Sequence, residues 1–92
     1  MRRELDASLE ADLATYAANH DQWLRAKDVL VPIAEQMAQL EIASYSAGRA
    51  DYSNLVEAFT DLADTKLAAL DREALVARDG ARIVLTYGSD NP

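Results

Sequence analysis

The sequence predicts an all-α fold, a long antiparallel two-helix hairpin of coiled-coil type spanning residues 1–92 as one unit. Three observations point there. Apolar residues recur at every seventh position on both sides of a single polar turn. Only three Gly and two Pro are present, so few positions can break a helix. Half of the residues are hydrophobic, dominated by Ala and Leu, and many of the rest are Asp, Glu, Arg and Lys, a mixture that suits packed helices.

The first helix is expected over about residues 3–45. Leu9, Tyr16, Trp23, Leu30 and Met37 form a strict series of sevens. Leu5, Ala26, Ile33 and Leu40 flank it, with Asp12 and Asn19 as breaks, and together the two series make a narrow seam. The region around Asn19, His20, Asp21 and Gln22 is the most polar part. Pro32 lies inside the pattern. It removes a backbone donor and crowds the preceding turn, which predicts a kink near residues 28–31. The periodicity keeps its phase across Pro32, so a continuous, kinked helix is expected rather than a break.

The tip turn is expected over residues 46–52. Gly48 can adopt a left-handed conformation just past a helix end. Asp51 or Ser53 can cap the second helix, and Asn54 and Glu57 place polar or acidic groups in its first turns. That helix is expected over about residues 53–87. Leu55, Leu62, Ala69, Val76 and Ile83 recur at sevens, with Val56, Ala63, Leu70, Ala77 and Val84 beside them. Gly80 weakens the helix locally by about 1 kcal/mol relative to alanine. Gly88 and residues 89–92 mark its end.

Chemistry is absent from this pattern. With no cysteine there is neither a disulfide nor a thiolate site. His20 is the single histidine and lacks a second ligand at helical spacing, so no metal site is expected. No nucleophile–base set and no phosphate-binding glycine loop occur. Asp61, Asp64 and Asp71 interleave with Lys66 and Arg72 as a solvated face, and Tyr16, Trp23 and Phe59 read as packing residues. The chain is therefore expected to be neither an enzyme nor a cofactor carrier. Its net charge of −7 disfavours nucleic acid and anionic lipid surfaces. No apolar run reaches the roughly 20 residues of a membrane helix, and no barrel-type alternation or signal-peptide core is evident.

Two helices of this length share a single contact line and cannot enclose a core. Leu9, Trp23, Leu30, Met37, Leu62, Val76 and Ile83 cannot all be covered by one partner helix. In isolation the chain is therefore expected to dimerise into a four-helix bundle. Tyr45 and Tyr52 flank the turn, where they either staple it or form part of a docking surface, and Arg49 is the charge at its apex.

The tip, Tyr45-x-x-Gly48, followed by the run from Leu55 to Leu62 and a closing Gly88, resembles the outer membrane factors of the TolC type, the channel-tunnels of tripartite efflux and secretion systems. The resemblance covers roughly residues 24–88. It implies the last descending helix, the periplasmic tip turn and the last ascending helix of such a channel, which is a trimer in the family. By position it assigns Tyr45, Gly48, Arg49 and Tyr52 to a tip that docks to a periplasmic adaptor (membrane fusion) protein. Asn54 and Glu57 fall where the family often has two acidic entrance-lining residues; Asn54 departs from that pattern. The family's membrane strands, first tip hairpin and signal peptide are not found in these 92 residues. The expectation is a periplasmic portion of an outer membrane protein, as an excised piece or a truncated gene. The alternative is a stand-alone self-associating hairpin that serves as a protein–protein interaction module.

Overall fold

A computed structural model of the chain describes residues 2–88. Helix α1 (Arg2–Arg25) runs into a five-residue π-helical turn (Ala26–Leu30) and continues unbroken as α2 (Val31–Ser46). The chain reverses at the tip and returns as α3 (Tyr52–Tyr87), which packs along α2, the π turn and α1 in succession. The hairpin measures 68 × 17 × 16 Å, and the described residues contain no strand. The stop signal read in residues 89–92 lies outside the described residues.

The seam follows coiled-coil spacing on the returning helix. Leu55, Ala58, Leu62, Thr65, Ala69, Val76, Asp79 and Ile83 are withdrawn from solvent toward the first helix. The expected series of sevens on the second helix therefore occupies the seam. Its companions Val56, Leu70 and Val84 face outward. On α1 the seam is Leu9, Asp12, Tyr16, Asn19, Trp23 and Ala26, in steps of three and four.

Beyond Ala26 the expectation from sequence fails. The alternation asks for Leu30 next, but the residues turned to α3 are Val31, Ala34, Ala38 and Glu41. Leu30, Ile33, Met37 and Leu40, expected in the seam, are exposed, Met37 at 58% and Leu40 at 64%. The cause is the π turn. The Val31 N–H donates to the Ala26 carbonyl, five residues back instead of four. Pro32 has no N–H for the Asp28 carbonyl and its ring would crowd that group in an ordinary α-helix. Widening the turn accommodates it. The extra residue rotates everything after it by about 100°, so the helix is continuous across Pro32 but its phase is not kept.

The buried part of the seam is small in volume. Ala26, Ala38, Ala69 and Val76 are the buried apolar residues, and no large side chain is fully buried among the described residues. Alanines let the two helices approach closely. They contribute little apolar area, so the hairpin leaves most of its large apolar side chains for other surfaces.

Candidate functional site: the tip and two lateral stripes

The tip is closed by backbone chemistry. Gly48 has φ +75°, the left-handed region that a β-carbon disfavours. The Gly48 N–H donates to the Tyr45 carbonyl at 3.0 Å and the Arg49 N–H to the Ser44 carbonyl at 2.8 Å. This pair of bonds around a left-handed glycine is the Schellman arrangement, and it satisfies carbonyls that the end of α2 would leave open. A β-carbon built on Gly48 meets nothing within 4 Å. Glycine is required there for conformation and not for space.

Asp51, in extended conformation, is the residue before α3. Its carbonyl accepts from Asn54 N at 3.1 Å and Leu55 N at 3.3 Å, while its side chain makes no capping bond. Tyr52, expected in the turn, is already the first helical residue, and Ser53 lies inside the helix. The Tyr45 and Tyr52 rings meet edge-on, centroids 6.3 Å apart. Both remain exposed, as does Arg49. The tyrosines thus brace the turn and still present their outer faces, so the two readings of the pair are compatible.

Asn54 and Glu57 are exposed on one broad face of the hairpin. There they share a shallow groove with Met37, Glu41, Ala58 and Asp61. The opposite broad face is marked by the Lys66–Glu35 ion pair at 3.9 Å, and by a groove in which Lys66 and Leu70 join Trp23, Lys27 and Val31. At about 100° per residue, Leu30, Ile33 and Leu40 share the side of Met37. By the same count Val56, Phe59, Ala63 and Leu70 share the side of Lys66. The tip half of the hairpin therefore carries two apolar stripes, one on α2 and one on α3, on opposite faces.

The other half of the seam sets polar pairs among its apolar residues. Asn19 Nδ2 donates to Asp79 Oδ2 at 2.6 Å, and Asp79 is only 9% exposed. Arg82 Nη2 reaches Asp12 Oδ1 at 3.0 Å, the Tyr87 hydroxyl donates to Asp12 Oδ2 at 2.7 Å, and Ser8 Oγ lies 2.9 Å from the same hydroxyl. Arg72 donates to Gln22. The signal for this ladder was present in the sequence: Asp12 and Asn19 stand at seam phase, as do Arg72 and Asp79 on the second helix. Taken one helix at a time, Asp12 and Asn19 read as breaks and Arg72 as part of a solvated face.

His20 sits in an aromatic row, 6.0 Å from the Tyr16 ring and 5.4 Å from Trp23, with Lys27 Nζ 5.0 Å above the Trp23 ring. Among the described residues no group of three or more His, Asp or Glu side chains could hold a metal ion. No helix among them is long and apolar enough to cross a membrane. Comparison with family models, with curated proteins and with solved structures gives no match.

Proposed function

We propose that this hairpin is the periplasmic tip segment of an outer membrane efflux channel of the TolC type, docking to a periplasmic adaptor protein through Tyr45, Gly48, Arg49 and Tyr52. The observation that carries the reading is the placement of the two stripes on opposite faces. A neighbour whose tip points the same way can match apolar to apolar by setting its α3 stripe against the α2 stripe of this copy. That contact is head-to-tail, and repeated it builds a wall of parallel hairpins with all tips at one end. The exposed Arg49 and tyrosines at the apex supply residue types favoured at protein interfaces. Asn54 and Glu57 share the face of the α2 stripe with Asp61, so in such a wall they would lie at the junction between neighbouring hairpins.

A closed dimer in a four-helix bundle is the second reading. It is favoured by the regular spacing of Leu30, Ile33, Met37 and Leu40, which suits pairing with the same stripe of an antiparallel copy. Such a dimer covers one face and leaves Val56, Phe59 and Leu70 open. Sedimentation of the isolated chain separates the two: a single dimeric species supports the bundle, and a concentration-dependent series of larger oligomers supports the wall.

The functional test is made in a full-length channel carrying this hairpin. Gly48→Val is expected to reorient the tip and abolish export with trimer formation intact, since a β-branched residue is strained at φ +75°. Arg49→Glu is expected to weaken adaptor docking with little effect on folding, because an exposed apex charge contributes little to stability. Full export by both variants would reduce the tip to a connector.

A further inference from the structure

We propose that the tip half of the hairpin has two possible seam registers, and that the π turn held open by Pro32 selects the one that turns Leu30, Ile33, Met37 and Leu40 outward. The inference concerns the hairpin alone and does not rest on the channel reading.

Two faces of α2 compete for the same groove on α3. One face is Val31, Ala34, Ala38 and Glu41, which occupies it. The other is Leu30, Ile33, Met37 and Leu40, which continues the spacing of Leu9, Tyr16, Trp23 and Ala26 without any insertion. The second face is the more apolar and would fill the seam opposite Leu55 and Leu62 with larger side chains. The first is the poorer fit in one specific respect: it brings Glu41 to the seam, where Oε2 is buried without a hydrogen-bond partner among the described residues. Hydrophobic burial and polar satisfaction both favour the face that is turned out.

The π turn is what overrides them. The bond from Val31 N–H to the Ala26 carbonyl adds one residue to the turn and rotates α2 by about 100°. Closing that turn to an α-helix would rotate α2 back and exchange the two faces. Pro32 opposes closure, because its ring collides with the Asp28 carbonyl in an ordinary helix and it offers no N–H in return. The proline is thus a positional lock placed within the stripe it keeps exposed, between Leu30 and Ile33. Two discrete packings, separated by a one-residue step in a single turn, make a bistable element of the kind in which small local changes are read out along a whole helix.

The chain has no cysteine, so single-cysteine reporters are unambiguous. Met37→Cys and Ala38→Cys sit side by side, one at 58% exposure and the other at 2%. Maleimide labelling is measured on dilute chain that sediments as one copy. With Pro32 present, position 37 is expected to react at least tenfold faster than position 38. With Pro32→Ala the order is expected to reverse. Deleting Val29 from the Pro32→Ala chain removes the extra residue while keeping Val31 and its successors in phase, and is expected to restore protection at position 38. Circular dichroism confirms that all variants remain helical. The proposal is overturned if Pro32→Ala leaves position 38 protected, if both positions label equally fast in that variant, or if the Val29 deletion fails to restore the original order.

Discussion

Between residues 8 and 26 the seam is held by side-chain hydrogen bonds. Ser8, Asp12, Asn19 and Gln22 face Tyr87, Arg82, Asp79 and Arg72. Between residues 31 and 41 it is held by proximity: Ala34 and Ala38 are turned to the returning helix, whose own inner face includes Ala58 and Leu62. The difference separates two tasks. Polar partners across a seam fix register, because a slip leaves each donor and acceptor unpaired. Small residues allow close approach but specify register weakly, since one alanine face is much like another. The half that is specified by hydrogen bonds carries the start of α1 and the end of α3. The half that is weakly specified carries the tip, both lateral stripes and the π turn. The exposed apolar stripes and the π turn are thus found on the same half.

The largest break in this comparison should come from the polar half. Asn19→Leu removes the donor 2.6 Å from Asp79 and leaves a buried carboxyl facing an apolar group. A loss of about 3 kcal/mol is expected. The double change Asn19→Leu with Asp79→Leu should recover most of that loss, because no polar group is then stranded, while loosening the register of α1 against α3. Urea unfolding followed by circular dichroism gives both values. A cost below about 0.5 kcal/mol for the single variant would mean that Asp79 finds water easily, and the division between the halves would lose its basis.

The tip half should respond to volume instead. Ala38→Leu forces three more heavy atoms between helices that meet at an alanine, and about 2 kcal/mol of destabilisation is expected. Leu40→Gln, two residues away and 64% exposed, should leave the single hairpin within about 0.5 kcal/mol of the parent, yet weaken association measured by sedimentation. Equal effects from the two substitutions would show that α2 does not present distinct inner and outer faces.

These two residues also mark where the sequence was legible and where it was not. Heptad spacing identified the hairpin, the turn at Gly48 and the inner face of α3, because all three follow from local rules: apolar period, left-handed glycine, uninterrupted helix. It misplaced the inner face of α2. The series through Leu30 and Met37 is intact as a string, and nothing in it says that a proline would be accommodated by a wider turn. A one-residue insertion is invisible in the letters and decisive in space. Asp12 and Asn19 were read as breaks for a related reason, since their partners lie 60 to 75 residues away and a pairing across the hairpin needs the register first. At the tip the letters gave Tyr45, Gly48, Arg49 and Tyr52 as a group, and the structure adds how the backbone bonds close around them.

The smallest expected effect lies at Gly80 and tests how tightly the polar half is packed. As a sequence feature this glycine is only a weak point in α3. In the folded hairpin it is where the Tyr16 ring crosses the seam: a β-carbon built there falls 3.3 Å from Tyr16 Cε2. Gly80→Ala therefore sets two terms against each other. Alanine gains up to about 1 kcal/mol of helix propensity. Against this, the ring must shift by a few tenths of an ångström. Tyr16 is only partly buried, and the neighbouring His20 ring is 6.0 Å away and tilted rather than stacked tightly, so there is room to shift. A net gain of roughly 0.5 kcal/mol is expected, with Gly80→Leu instead losing about 1 to 2 kcal/mol as the ring is expelled from the seam. Thermal and urea unfolding of the pair decides it. If alanine is already destabilising by more than about 1 kcal/mol, the Tyr16 ring is fixed in place, and the seam between α1 and α3 is specified by packing as well as by its hydrogen bonds.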